Sequence, residues 1–385
     1  MSDAIVQLGT LGNFIRGKGI AKSDLVDEGG LSCIRYAEIY TEYGEVIRNP
    51  ISRVSSDAAA DAQKLEYGDI IFPTSGETAE EIGKASAFVG QEETYVGGDT
   101  IILRGHGQDP IYLAHMLNSW ELNRQKFKLA TGNSVVHIYA QELSQLSLWL
   151  PELAEQQKIV EILTDCDTAI SDLQSIILHK KKLFEGLPDQ FSRNLNSIEE
   201  CSLEKVANVT MGQSPPASSY NDVGTGLPLA GGGDDIKDGF VNPSRYTIQP
   251  SKIAPKGSVL MTVRAPVGDI AISDSDLCIG RGFCAIEPKS EMSRDYIRFS
   301  LIAMKAKWKT VQQGSTFTAV DKSSVLKFTL PFPMDNDELK RAVLVLQEAQ
   351  SELLKLDSQL NLLKQQKRGL MQQLLTGKLR VKGAA

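Results

Sequence analysis

Between Leu346 and Leu374 the apolar positions fall at Leu346, Ala349, Leu353, Leu356, Leu360, Leu363, Leu370 and Leu374. Steps of three and four, with one turn interrupted by Lys367, predict a long helix whose apolar stripe packs on another helix. The same stripe stands earlier in the chain. Leu163 precedes Leu346 by 183 residues, and the same step back from the other positions gives Cys166, Ile170, Leu173, Ile177, Lys180, Leu187 and Phe191. Each copy holds one lysine, and the ends run KKKLFEGLPDQF (180–191) and LKQQKRGLMQQL (363–374). The first helix is predicted over 152–191, with Glu152 and Glu155 in its first turn, where the helix dipole favours acids, and Pro188 and Asn194 at its breakdown. At ~1.5 Å per residue it would be roughly 50 Å long. Off the stripe lie Ile159, Ile162, Ile176, Leu178, Leu183, Leu344, Leu354 and Leu375. They make both helices apolar on more than one face, which predicts partner helices covering the outer faces.

A period this long points to a duplicated domain plus helix rather than a solenoid. Residues 1–150 read as a compact α/β unit, with strands at Ile34–Ile39, Asp69–Pro73 and Thr100–Leu103 and a helix over Pro110–Leu129. A turn, a short helix and a closing strand follow over 131–151. Residues 197–330 repeat this plan. YGDIIFPTSGETAEEIG (67–83) matches PKGSVLMTVRAPVGDIA (255–271), YVGGDTIIL (95–103) matches CIGRGFCAI (278–286), and ATGNSVVHI (130–138) matches QQGSTFTAV (312–320). The framework is shared, but the polar residues differ: Arg35, Tyr36 and Glu38 face Ala230, Gly231 and Gly233, and Thr74 and Ser75 face Val263 and Arg264. One scaffold with divergent loops is what two modules reading two different ligands need. The predicted fold class is α+β: two duplicated α/β domains, 1–150 and 197–330, joined by two long antiparallel helices in 151–196 and 331–385. The helices form a coiled-coil spacer, and the whole is pseudo-twofold symmetric.

Charge sharpens this picture. The net charge of −7 does not advertise a nucleic-acid binder. Its distribution is uneven: residues 1–150 hold 12 Lys+Arg against 20 Asp+Glu, whereas 206–330 hold 14 against 11. An acidic chain that targets DNA needs partners to supply much of the backbone contact. The five cysteines are scattered without a CxxC pair, which fits reduced thiols in a cytoplasm. The start, MSDAIVQLGTLG, carries no secretory pattern, and no apolar run approaches a membrane span.

Catalytic motifs are missing. A methyltransferase that grips a flipped adenine needs a polar-Pro-Pro-aromatic loop, but Asn49-Pro50 and Asn242-Pro243 are followed by Ile51 and Ser244. No GxxxxGK[ST] phosphate loop is present. His106, His115, His137 and His179 have no HExxH or CxxC company, so no metal site is expected.

LPELAEQQKIVEIL (150–163) and LKQQKRGLMQQLLTGKLRV (363–381), with the loops GDIIFPTSG (68–76) and GSVLMTVRAPVG (257–268), carry a family resemblance over the whole chain. The chain resembles the specificity subunit of type I restriction-modification enzymes. The opening of the second helix, LPFPMDNDELKRAVLVL (330–346), departs from the pattern by lacking the acidic-Gln start of the first. The resemblance implies two target-recognition domains, each reading one half of a split double-stranded DNA sequence, held apart by the helices. It implies a non-catalytic chain with no cofactor of its own, docked by two modification (methyltransferase) subunits that carry S-adenosylmethionine. Restriction subunits with ATP-driven motors join in systems that cut. Candidate DNA-binding residues are Lys18, Lys22, Arg35, Tyr36, Thr74, Ser75, Ser134 and His137 in the first domain. In the second they are Gln213, Ser214, Lys237, Arg264, Gln313, Ser315 and Thr316. Arg35, Lys237 and Arg264 suit guanine or phosphate. The GKG at 17–19 and the GGG at 231–233 are read as places of close approach to DNA. Spacer and subunit contacts fall to Leu163, Ile170, Leu173, Ile177, Leu187, Leu346, Leu353, Leu356, Leu360, Leu363, Leu370 and Leu374. A different class, an adaptor with two protein-binding domains on a helical hairpin, also fits the acidic first half.

Overall fold

The computed structural model describes residues 4–76, 82–132, 135–237, 239–312 and 319–381. Two compact units divide the chain: residues 1–171 with 361–385, and residues 172–360.

In the first unit a five-stranded sheet has the order Asn13–Arg16, Thr100–Arg104, Ile70–Pro73, Ser86–Phe88, Val46–Ile47. Its central strands are apolar without alternation because both faces are covered. Ile70, Phe72, Ile101 and Leu103 point into a core with Tyr112, Leu113 and Leu117, while Ile71 and Ile102 join Ile34, Ile39 and Phe88 on the other side. A second sheet orders Ser52–Val54, Leu31–Ile34, Thr94–Val96, Gln63–Lys64. Ala4–Gln7 pairs antiparallel with Ser147–Leu150, closing the domain on itself.

The second unit repeats this strand order. Its larger sheet begins Ala207–Met211, Phe283–Pro288, Val259–Thr262, Ile270–Ile272, Phe240–Val241, and its smaller one contains Arg245–Thr247, Leu227–Ala230, Leu277–Ile279, Ile253–Ala254. Even the strand directions match: Leu277–Ile279 runs parallel to Leu227–Ala230, as Thr94–Val96 does to Leu31–Ile34. Ile198–Ser202 with Thr329–Pro333 closes this domain.

Two local expectations are corrected. The run Ile34–Ile39 is not one strand: Leu31–Ile34 is a strand, and Tyr36–Thr41 a helix. Glu38 decides the break, because its buried carboxylate accepts the Arg35 N–H (3.1 Å), Arg35 Nε (2.8 Å) and Ser52 Oγ (2.7 Å). The helix over 110–129 is two, Pro110–Leu117 and Trp120–Leu129. Asn118 leaves the helix to exchange two hydrogen bonds with the Ala85 backbone, and Ser119 caps the second piece. That piece buries Lys126 completely; its Nζ donates to Gly83 O at 2.8 Å. In the second unit Trp308 stands in the like place against Gly268.

The long helices are Leu153–Asn194, which runs through Pro188, and Asn336–Leu375. Asp335 replaces the missing acidic-Gln start: its Oδ1 accepts the N–H groups of Asp337 and Glu338 at 3.0 and 2.9 Å. Within each unit the two helical segments run antiparallel. In the first, Glu155 meets Arg380 and Asp167 meets Lys367; in the second, Lys180 meets Glu352 and Ser197 meets Glu338. Every predicted stripe position is buried or half-buried, with Leu163 and Leu374 in the first unit's core and Leu346 and Leu353 in the second's. The two stripe lysines do not break the packing. Their stems lie along the seam and their Nζ atoms reach acids on the facing helix, Lys367 to Asp167 at 2.5 Å and Lys180 to Glu352 at 2.9 Å. Off the stripe, Ile159 and Leu375 are buried in the first unit's core, whereas Ile176, Leu178, Leu183, Leu344 and Leu354 are exposed.

Candidate nucleic-acid interface

In the first unit the strand Ile70–Pro73 delivers Thr74 and Ser75 to one end of the sheet. There Ser75–Gly76 pairs with Val136–His137. Ser75 Oγ lies 3.1 Å from His137 Nδ1, and the His137 ring stacks on Tyr139 with ring planes 5° apart. A cavity of about 280 Å³ opens here, lined by Arg16, Thr74, Ser75, Asp99, His137 and Tyr139 among others. Ser75 also borders a second hollow of about 480 Å³ with Tyr36, Tyr40 and Thr41. The structure thus brings Tyr36, Thr74, Ser75 and His137 together. Thr74 is buried there, and its backbone is engaged at both ends, donating to Asp99 O and accepting from Ile138 N. Arg35 turns to Glu38, so part of its guanidinium serves the helix start. Lys18 and Lys22 are exposed outside both hollows. Ser134 lies outside the described residues.

The second unit places Arg264 at the position of Ser75, and its backbone bridges Ala319 as Ser75 bridges His137. Arg264 lines a cavity of about 420 Å³ with Ser214, Gly231, Gly232, Gly233 and Arg281. A smaller hollow of about 170 Å³, also bordered by Ser214, is lined by Tyr220, Ser244 and Arg245. Gln213 and Lys237 are exposed outside both, and Gln313, Ser315 and Thr316 lie outside the described residues.

The glycines divide by role. A Cβ on Gly17 would sit 2.2 Å from Gly97 O, and one on the equivalent Gly212 would sit 2.0 Å from Gly280 O. These two serve the chain's own packing, a correction to the reading of Gly17 as a ligand-facing residue. Gly231–Gly233 stand on the cavity wall instead.

Arg16, Asp99, Tyr139, Asp234 and Arg281 line these cavities and were missed from sequence. Arg281 carried a usable signal: it stands between two glycines where the aligned first-domain residue is Gly98. Among the described residues no group of three or more His, Cys, Asp or Glu is placed to hold a metal. Burial pushes the thiols of Cys33 and Cys284 up to about 11 and about 12, so neither is an activated nucleophile. No helix among the described residues is long and apolar enough to cross a membrane.

The model of the type I restriction modification DNA specificity domain matches this chain twice, over residues 4–179 and 197–370. The chain belongs to that family and carries two such domains. A putative type I restriction enzyme MjaX specificity subunit of Methanocaldococcus jannaschii is 30% identical over 395 aligned residues, covering 91% of this chain and 92% of that one. Two solved structures share the fold over 98% of this chain. One, described as the structural basis underlying complex assembly and conformational transition of the type I R-M system, has TM-score 0.69 at 22% identity and is covered over 98% of its own length. The other, the HsdS subunit from Thermoanaerobacter tengcongensis, has TM-score 0.54 at 21% identity and is covered over 97%. The protein is accordingly a type I specificity subunit, a chain that recognises DNA and assembles with other subunits rather than one that catalyses. This membership decides against the adaptor reading.

Proposed function

We propose that the chain reads a split DNA target, one half with residues 1–150 and the other with 197–330, and that the helical segments 151–196 and 331–385 set the unread gap between them. The observation that carries this is one strand order built twice with different chemistry at the same sheet end: Ser75, His137 and Tyr139 in one unit, Arg264 and Arg281 in the other. Base edges are read by side chains at such positions, while Lys18, Lys22 and Lys237 suit phosphate.

The exposed apolar residues Ile176, Leu178, Leu183, Leu344 and Leu354 give partner helices a surface to cover. We assign that surface to two modification subunits, which bring S-adenosylmethionine, with ATP-driven restriction subunits joining in systems that cut. The acidic balance of −7 fits a chain whose partners supply much of the phosphate contact in the cytoplasm.

The test is to co-express the chain with its modification subunits and map methylation across the host genome. A split motif with a constant gap is expected. A continuous motif, or no methylation, would overturn the reading. Inserting one heptad near Thr168, with its counterpart in the C-terminal helix, should lengthen the gap and leave both half-sequences unchanged.

A further inference from the structure

Resting on the DNA-recognition reading above, we propose that the second unit selects a guanine, gripped by Arg264 and Arg281 over the bare wall Gly231–Gly233. Arg264 leaves the end of the strand Val259–Thr262, and Arg281 sits in the turn between Leu277–Ile279 and Phe283–Pro288. Both are exposed, and both line the same cavity. Arg281 is steadied from one side, its Nε donating to Ser214 Oγ at 3.3 Å. Among the described residues no hydrogen bond or ion pair occupies the Arg264 guanidinium or the terminal guanidinium N–H groups of Arg281, whose backbone N–H also donates to Ser214 Oγ at 3.4 Å. Two guanidinium forks are therefore available to a ligand between them.

The glycines supply the second observation. Gly282 is required by the fold, because a Cβ there would lie 2.2 Å from Gly231 O. Gly232 is not required. Its φ of −178° is extended backbone that any residue adopts, and a Cβ built on it meets nothing within 4 Å. Gly231 and Gly233 likewise avoid positive φ, and their nearest neighbours lie 3.6 Å away. Neither conformation nor internal packing explains three consecutive glycines. A flat object lying against them from outside does.

The carboxylates distinguish a base edge from a phosphate. Asp269 is paired with Lys305, and Asp235 Oδ2 accepts the N–H groups of Gly231 and Gly232. Asp234 remains exposed on the same wall. A phosphate seated there would face this like charge. A G·C pair would not, since guanine offers O6 and N7 as acceptors to arginine and cytosine offers its N4 amino group to a carboxylate. In the first unit the aligned places hold Ser75, Gly98 and Tyr36–Glu38, so this two-arginine grip is particular to the second unit.

The test uses the full chain in complex with its modification subunits and duplexes carrying the mapped target. Each guanine of the second half-site is replaced in turn by 7-deazaguanine, which lacks the N7 acceptor. One replacement should weaken wild-type binding by about tenfold to a hundredfold, and the same replacement should cost little further in R264Q or R281Q. G232A should melt at the wild-type temperature yet bind the target at least about tenfold more weakly, the size of one lost base contact. A second half-site without guanine would overturn the proposal, as would unchanged binding by G232A. So would R264Q and R281Q weakening all duplexes alike with a shallower salt dependence, which would mark phosphate contacts and leave the DNA reading standing. A wild-type complex with no sequence preference would instead refute the DNA reading itself.

Discussion

Glu155 and Glu338 stand 183 residues apart and hold the chain in the same way. Glu155 accepts the N–H of Val381, just past the end of the C-terminal helix, at 3.1 Å. Glu338 accepts those of Asn196 and Ser197, just past the end of the central helix, at 3.1 and 2.9 Å. Each carboxylate sits in the first turn of one long helix and fastens the chain that leaves the other. Glu155 also takes a two-pronged contact from Arg380, Nε at 2.9 Å and Nη2 at 2.7 Å.

These contacts hold both carboxyls below the usual range, through Arg380 for Glu155 and through Ser197 for Glu338. A depressed folded value means stability that is present above the ordinary glutamate pKa of about 4.3 and lost as pH falls through the folded value. E155Q should therefore destabilise the first unit at pH 7, by about 1–2 kcal/mol, and E338Q should destabilise the second. In both, the gap to wild type should close below about pH 4, where the wild-type carboxyl also gains its proton. Thermal melts at pH 7 and pH 3.5 check this; a gap independent of pH would contradict it.

Lys126 also makes stability rise with pH, but at higher pH and because its burial works against the fold. Complete burial pulls its ammonium down to about 7, whereas the unfolded chain titrates near 10.4. Between those values the unfolded state carries a proton that the folded state lacks, so stability of the first unit should rise with pH from about 7 to 10. K126M should flatten that rise and stabilise the unit at pH 7 by about 1–3 kcal/mol, part of the gain being offset by the orphaned Gly83 carbonyl. Urea unfolding across this pH range is the measurement, and a wild-type profile without slope would refute it.

Apolar stripe and rim charges should differ in weight. Leu163 and Leu374 are fully buried in one core, so L163A and L374A should each cost about 2–5 kcal/mol. Lys180 and Glu352 are both more than a third exposed, so a double-mutant cycle on that pair should return under about 1 kcal/mol.

Ser75 borders both hollows of the first unit and contacts His137. S75A and H137A should lower discrimination among bases of the first half-site while leaving that of the second unchanged. Competition binding with single-position variants of both half-sites tests this. Equal loss in both halves would show that these residues act on stability instead.

The stripe from Leu163 to Phe191 was legible because helix packing imposes a period, and Leu346 to Leu374 repeated it. The continuous runs Ile70–Phe72 and Ile101–Leu103 were legible for a related reason: a sheet covered on both faces needs no polar positions. The boundary at Arg35 was not, since Ile34 and Ile39 suit a strand as well as a helix and only the distant partner Ser52 commits Glu38 to its cap. The break at Asn118 depended in the same way on Ala85. Among the cavity residues, Ser75 and Arg264 were visible through their alignment, and Arg281 offered a signal of the same kind, but that Asp99 and Arg281 reach the cavities depends on turns set by glycine contacts far along the chain, such as Gly282 against Gly231.

One feature of the division into units bears on how the protein is made. The second unit is one uninterrupted stretch, 172–360, while the first needs residues from both before and after it. On the ribosome the second unit can close as soon as it emerges. The first completes the core that holds Ile159 and Leu163 only once Leu374 and Leu375 have been made. The connectivity thus sets a dependence: the core of residues 172–360 is drawn from one stretch, while that of the first unit also takes Leu374 and Leu375 from the far side of the second.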